Sequence, residues 1–403
     1  MKNRIRLLHV QSASEAADQL KAIGVEPYGI ASMAPKMRHL NVLVEGLTPK
    51  VANIIKQEML SQGGDAAVSR GCVDCSVRRT DVLIMGTVKQ ILRFADKLRL
   101  QPFGLKDVSA DLRELLDRFE HKPFLLETPR RKIRLADRTL IMGVINMTPD
   151  SFSDGGAIAD AETGLRHAVR LIGEGADILD VGGESSRPGA KPVPAKEELR
   201  RVIPLIRLIA RETDVPVSVD TAKSEVARRA VDAGAEIVND ITALRGDRKM
   251  ARVAADAGAA VILMHMRGRP RTMQKGDLAY RSLLGEILRF LADRVEQASA
   301  AGISRDRLIV DPGIGFGKSV EDNLRLLRHL EEFKVLGRPV CVGVSRKHFT
   351  GKITGVGKPQ ERLEGTAAAV TAAILNGADI VRVHDVAVMK RVAAMADALR
   401  GKR

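Results

Sequence analysis

The sequence predicts a (β/α)8 TIM barrel of the α/β class, preceded by a smaller α+β domain. Three observations carry that reading. Eight short apolar strands recur through roughly the last 270 residues, each ending on polar residues. Helical segments separate the strands, and strict alternation favours a parallel sheet. The 403 residues leave room for one further domain beside a barrel of about 250. Eight units favour closure over an open doubly wound sheet, and no Gly-x-Gly-x-x-Gly turn follows the first barrel strand.

In the first 120 or so residues, Ile5 to Val10 reads as a strand. Ser12 caps a helix from Ala13 to Ile23, with Glu15 completing a capping box. Asn41 to Glu45 is a second strand, and Pro49 to Ser61 a helix that Gly63-Gly64 terminates. Asp81 to Met85 is a third strand, followed by helices over Val88 to Leu100 and Val108 to Phe119. The stretch Glu127-Thr128-Pro129-Arg130-Arg131-Lys132 is charged, carries a proline and lacks periodicity. The domains are therefore expected at 1–125 and 136–403, with a linker at 126–135.

The barrel strands and their polar ends follow in order. Gly143-Val144-Ile145 leads to Asn146, Ile178-Leu179 to Asp180, Val217-Ser218-Val219 to Asp220, and Ile237-Val238 to Asn239. Ile262-Leu263-Met264 leads to His265, Leu308-Ile309-Val310 to Asp311, Cys341 to Val344 to Ser345-Arg346-Lys347, and Ile380-Val381 to Arg382 and His384. Helices are expected near 160–174, 195–213, 222–233, 247–257, 280–301, 320–334, 359–376 and 386–399. Polar residues at the C-terminal ends of barrel strands are where such folds keep their catalytic groups.

Composition narrows the function. No apolar run is long enough for a membrane span, and no secretory apolar core follows Met1-Lys2-Asn3-Arg4. The cytoplasm is the expected compartment. Three cysteines exclude a disulfide framework. The net charge of +15 suits nucleic acid or small anionic substrates. With aromatics at 3% and no Trp, a base-stacking platform is disfavoured, and no nucleic-acid partner is expected. Cys72-Val73-Asp74-Cys75 is a single Cys-x-x-Cys pair without a second pair or a nearby histidine, and reads as two reduced cysteines in a turn.

The loops carry the chemistry. Asn146 to Gly156 is long, polar and ends on glycines. Gly182-Gly183-Glu184-Ser185-Ser186-Arg187-Pro188-Gly189 lets backbone approach a ligand, and Arg187 offers a fork for phosphate or carboxylate. Asp311-Pro312-Gly313-Ile314-Gly315-Phe316-Gly317-Lys318 and Ser345-Arg346-Lys347 follow the sixth and seventh strands.

With Ser218 to Thr221, Asn239-Asp240, Met264-His265-Met266 and Arg382 to Asp385, these segments make an ordered set. In that order and at that spacing, the chain resembles the dihydropteroate synthase family over residues 133–403. The resemblance implies condensation of 6-hydroxymethyl-7,8-dihydropterin diphosphate with p-aminobenzoate to give 7,8-dihydropteroate and pyrophosphate, a step of folate synthesis. It implies pterin binding by Asp220, Asn239, Met264, Asp311, Lys347 and Arg382, and pyrophosphate binding by Asn146, Arg187, Arg382 and His384. It implies a p-aminobenzoate pocket of Ser186, Arg187, Pro188, Phe316, Ser345 and Lys347, with Asp180, Asp220 and Lys347 as catalytic groups. Mg²⁺ is the implied cofactor, with Asn146 as its ligand, and a homodimer and competitive inhibition by sulfonamides, which imitate p-aminobenzoate, are implied as well.

The residue chemistry is compatible with this. A pterin edge presents N–H donors, which acceptor-only carboxylates suit. Arg382 would stack on the ring and meet phosphate. Each residue also has a structural reading. Asp180 and Asp220 are good helix caps, His384 suits a satisfied core position, Lys318 a solvated helix start, and Met147, Met264 and Met266 the barrel core. A pterin-dependent methyltransferase, passing a methyl group to a corrinoid, is the alternative enzyme. The first domain has no recognisable catalytic constellation.

Overall fold

The computed structural model describes residues 6–10, 12–119, 124–135, 138–147, 157–185, 189–268, 272–273 and 278–401. The chain divides into two compact units, Met1–Lys122 and Pro123–Arg403.

The first unit runs α1 (Ala13–Ala22), α2 (Pro27–Met33), β1 (His39–Leu47), α3 (Pro49–Ser61), β2 (Asp65–Val68), β3 (Thr80–Thr87), α4 (Val88–Leu98) and α5 (Leu105–Phe119). Its antiparallel sheet has the order β1-β3-β2. Every second residue of β3 is buried, so Val82 and Ile84 form a core with Ile55 and Met59 of α3 and Ile91, Phe94 and Leu98 of α4. The Ser12 hydroxyl accepts the Glu15 amide at 3.1 Å, as its cap position required. The expected first strand is not formed, since residues 6–10 belong to no strand. Cys72 and Cys75 lie between β2 and β3 as free thiols.

The second unit opens on a hairpin, β4 (Phe124–Glu127) and β5 (Lys132–Leu135). The expected linker at 126–135 is thus part of the barrel's own structure. Pro129 and Arg130 lie in the turn, and the Thr128 amide donates to the Arg131 carbonyl at 2.9 Å. Leu126 and Leu135 are buried against Leu140, Ile178, Ile237 and Ile309, the inward residues that begin the strands. The hairpin therefore seals the N-terminal end of the barrel.

Eight parallel strands follow: β6 (Leu140–Asn146), β7 (Ile178–Gly182), β8 (Val217–Asp220), β9 (Ile237–Asp240), β10 (Ala260–Met264), β11 (Leu308–Asp311), β12 (Cys341–Gly343) and β13 (Ile380–Val383). They pair in chain order, β13 joins β6 to β12, and a parallel bridge between Val310 and Val340 closes the ring. Between and after them lie α6 (Ala157–Gly173), α7 (Ala195–Glu212), α8 (Ser224–Asp232), α9 (Met250–Asp256), α10 (Leu283–Ala300), α11 (Val320–Arg328), α12 (His348–Thr354), α13 (Leu363–Leu375) and α14 (Val386–Leu399). Outward strand residues such as Val181, Val219, Val238 and Val381 pack under these helices in the largest core.

At the hairpin end, carboxylates serve stability. Asp177 accepts the Ile141 amide at 2.8 Å and the Arg138 fork, and Asp397 accepts the Thr139 amide at 2.7 Å. Asp379 accepts the Val340 amide at 2.8 Å and pairs with buried Lys334, while Glu236 takes the Thr128 hydroxyl at 2.6 Å and Arg131.

Candidate active site

The two-residue period of the strands places the site. Ile178, Ile237, Ile262, Ile309 and Ile380 point into the barrel against the hairpin. Two residues further on, the same inward face presents Asp180, Asn239, Met264, Asp311 and Arg382. Along four of these strands isoleucine gives way to a polar residue, and along the fifth to Met264, which turns a sealed core into a mouth.

Arg382 gathers this layer. Its Nε donates to Asp180 Oδ2 at 2.6 Å and its Nη2 to Asp220 Oδ2 at 2.9 Å. Asn239 Nδ2 donates to the same Asp180 oxygen at 3.1 Å. Asp180 is fully buried, and its Oδ1 has no hydrogen-bond partner. Burial pushes the Asp220 carboxyl up to about 7; Arg382 opposes the rise, and Asp180, Glu198 and Asp240 add to it. Two carboxylates thus share one guanidinium.

A second group forms around Lys347. Its Nζ donates to the Ile314 carbonyl and lies 4.6 Å from the centre of the Phe316 ring. Burial lowers the amine to about 8, with Asp311 opposing the shift. Asp311 in turn is raised by burial and held back by Lys347, and its Oδ1 accepts the Gly313 amide at 2.7 Å. Gly313 must be glycine, because its φ is +71° and a Cβ would stand 1.9 Å from the His265 carbonyl oxygen. Ser345 Oγ lies 3.0 Å from His384 Nδ1 and accepts the His384 amide at 3.3 Å. Between Ser345 and Lys347, Arg346 has a φ of +59° and is pinned to Asp385 at 2.5 and 3.1 Å.

Hydrogen bonds thus bring together Asp180, Asp220, Asn239 and Arg382. Lys347 joins Phe316, and Ser345 joins His384. Met264 is buried in a small cluster with Met266, Met273, Ile241 and Phe316, apart from the main core. Asn146 ends β6, half-buried, in register with Gly182. Ser186, Arg187 and Pro188 lie outside the described residues. The capping alternative fails for both acids, since Pro194 and Lys223 occupy the caps of α7 and α8. Arg382 differs from expectation in that two of its nitrogens are committed to Asp180 and Asp220.

One participant went unrecognised in the sequence. Lys318 is not a solvated lysine: it is 2% exposed, and its ammonium meets the Gly313 and Phe316 carbonyls at 2.9 and 3.1 Å and His265 Nδ1 at 3.0 Å. It organises the β11 loop from within. The run of glycines before it was the available signal, because carbonyls turned inward by positive φ need a donor.

Fold and site together define a (β/α)8 barrel with a cluster of charged and polar side chains at the C-terminal ends of its strands. Residues 142–384 match the family described as pterin binding enzyme, and the chain belongs to that family. It is 48% identical over 262 residues to a dihydropteroate synthase from Synechocystis, covering 65% of this chain and 90% of that protein. It is 41% identical over 391 residues to a probable bifunctional folylpolyglutamate synthase/dihydropteroate synthase from Halobacterium salinarum. That match spans 97% of this chain, and so most of the first unit, but 46% of the relative. Among solved structures, Xanthomonas albilineans dihydropteroate synthase with 4-aminobenzoic acid superposes with a TM-score of 0.64 at 45% identity, covering 69% of this chain and 99% of that one.

Proposed function

We infer that the chain is a dihydropteroate synthase, a transferase of folate synthesis. It joins 6-hydroxymethyl-7,8-dihydropterin diphosphate to p-aminobenzoate and releases pyrophosphate. The carrying observation is the Asp180–Arg382–Asp220 arrangement at the barrel mouth. When the methylene–oxygen bond of the diphosphate breaks, its electron pair leaves with pyrophosphate and positive charge spreads over the dihydropterin. Asp180 and Asp220 stabilise that charge from fixed positions. The aniline nitrogen of p-aminobenzoate then forms the new bond to the methylene carbon, and its surplus proton passes to solvent.

Asp220, Asn239 and Asp311 take the pterin's donor edge, Lys347 its carbonyl, and Met264 one face. Asn146, Arg187, Arg382 and His384 hold the diphosphate; Ser186, Arg187, Pro188, Phe316, Ser345 and Lys347 hold p-aminobenzoate. Asn146 would supply a neutral hard oxygen at a half-buried strand end, a donor type that fits Mg²⁺. A bound Mg²⁺ supplies neutralisation of the diphosphate charge. A homodimer working in the cytoplasm, sensitive to sulfonamides that compete with p-aminobenzoate, completes the reading. No helix among the described residues is long and apolar enough to cross a membrane.

The test is pyrophosphate release by the full chain with both substrates and Mg²⁺. Release that depends on p-aminobenzoate is expected. No release, with methyl transfer from methyltetrahydrofolate instead, would replace this reading by the methyltransferase.

A further inference from the structure

The base of the loop after β7 is held by charges that the reaction itself does not use. Lys223 lies in the short connection between β8 and α8, in the stretch that begins with Asp220. Its Nζ donates to Glu184 in the β7 loop and, at 2.5 Å, to Glu198 on α7. The Glu198 side chain is only 1% exposed, and a carboxylate so buried persists with a paired cation. Lys223 is itself fixed, since its amide donates to the Thr221 hydroxyl at 3.2 Å. A second tie runs alongside: Arg201 of α7 donates to the Gly183 carbonyl at 2.9 Å and to Glu197 at 2.8 Å. Gly183 lies so close to α7 that a Cβ would come within 2.9 Å of the Glu198 side chain.

We propose that Lys223 is a positioning residue, clamped between Glu184 and Glu198, that ties the start of the β7 loop to the connection bearing Asp220. Glu184 precedes Ser186 by two residues, so the strap sets where the p-aminobenzoate-binding stretch begins relative to the reacting carbon. This role rests on the synthase reading. The geometry favours one direction of effect. Losing the strap leaves Asp180, Asn239 and Asp311 where they are, because those residues are fixed by their own strands. It loosens chiefly the start of the β7 loop at Gly183 and Glu184.

The test uses the full chain with Glu184→Gln, Lys223→Met and Lys223→Arg. Glu184→Gln keeps the Lys223–Glu198 pair, so it reports on the strap even if Lys223→Met fails to fold. Amide exchange in a peptide covering residues 181–192 should rise about tenfold in Glu184→Gln and Lys223→Met, and stay near wild type in Lys223→Arg. The p-aminobenzoate KM should rise about tenfold in the same two variants, with the dihydropterin diphosphate KM within about twofold and the arginine variant restored. Unchanged exchange, or a parallel rise of both KM values, overturns the proposal. A wild type that releases no pyrophosphate sinks the synthase reading and the p-aminobenzoate role with it, while the exchange result still decides whether the strap exists.

Discussion

Asp220 is the group through which acid should silence this enzyme. Burial raises its carboxyl to about 7, the Arg382 guanidinium pulling the other way. If ionised Asp220 stabilises the dihydropterin cation, kcat/KM follows its ionised fraction. Below the raised pKa that fraction falls tenfold per unit, leaving about a tenth of the plateau at pH 6 and about a hundredth at pH 5. Lys347 sets the other limb. Its amine, lowered to about 8, must be protonated to serve the pterin carbonyl with full strength, so activity declines as pH rises through that value. The profile is a bell with its top between about 7 and 8. Asp220→Asn removes one preorganised charge and should lower the plateau by about 10²–10³. It should also erase the acid limb near 7. The assay is pyrophosphate release from pH 5 to 9 at saturating Mg²⁺, fitted for wild type and variant. An acid limb that survives unchanged in Asp220→Asn would show that another group governs it and refute the assignment.

Lys347→Ala should raise the KM of both substrates, and Ser186→Ala mainly that of p-aminobenzoate; equal loss of pterin binding in both variants would put the pocket elsewhere. Lys318→Met should cost about 2–4 kcal/mol, because buried carbonyls lose their donor; urea unfolding with an unchanged midpoint would contradict this. Leu126→Ala should cost about 3 kcal/mol by leaving a cavity beneath the strands. Its kcat should match wild type, since the hairpin lies at the opposite end from the mouth, and a large kcat loss without a stability change would count against the division of labour.

The barrel was legible because its strands carry their own punctuation. Ile178 to Asp180 and Ile237 to Asn239 show apolar inward positions giving way to polar ones within two residues, and that step marks both the strand and its catalytic end. The hairpin was hidden for the opposite reason. Thr128-Pro129-Arg130-Arg131 looks like connecting chain, and only the barrel's open bottom gives Leu126 and Leu135 something to cover. In the first unit, β2 escaped notice because Asp65-Ala66-Ala67-Val68 has little strand propensity and forms by pairing with β3. Conversely, Ile5 to Val10 has strand composition, yet residues 6–10 have no strand partner. At the site, residue types at strand ends named Asp180, Asp220 and Arg382. Their mutual pairing depends on how far three side chains reach across the barrel, which spacing does not encode. Lys318 was missed because a lysine after a glycine-rich turn looks solvated until the turn's carbonyls are seen to face it.

The two ends of the barrel answer acid differently. At the hairpin end Asp177 has its pKa lowered, burial being outweighed by Arg138 and the Ile141 amide. The stability it contributes is in place above the unfolded value of 3.8 and drains away only as pH falls through the lowered folded one. At the mouth, protonation of Asp220 begins near 7. Mild acidity should therefore weaken the chemistry while leaving Asp177, under the strands, ionised. Between the two events Asp220 is neutral while Asp177 keeps its charge, so activity lost at mildly acidic pH should return when the pH is brought back to neutral.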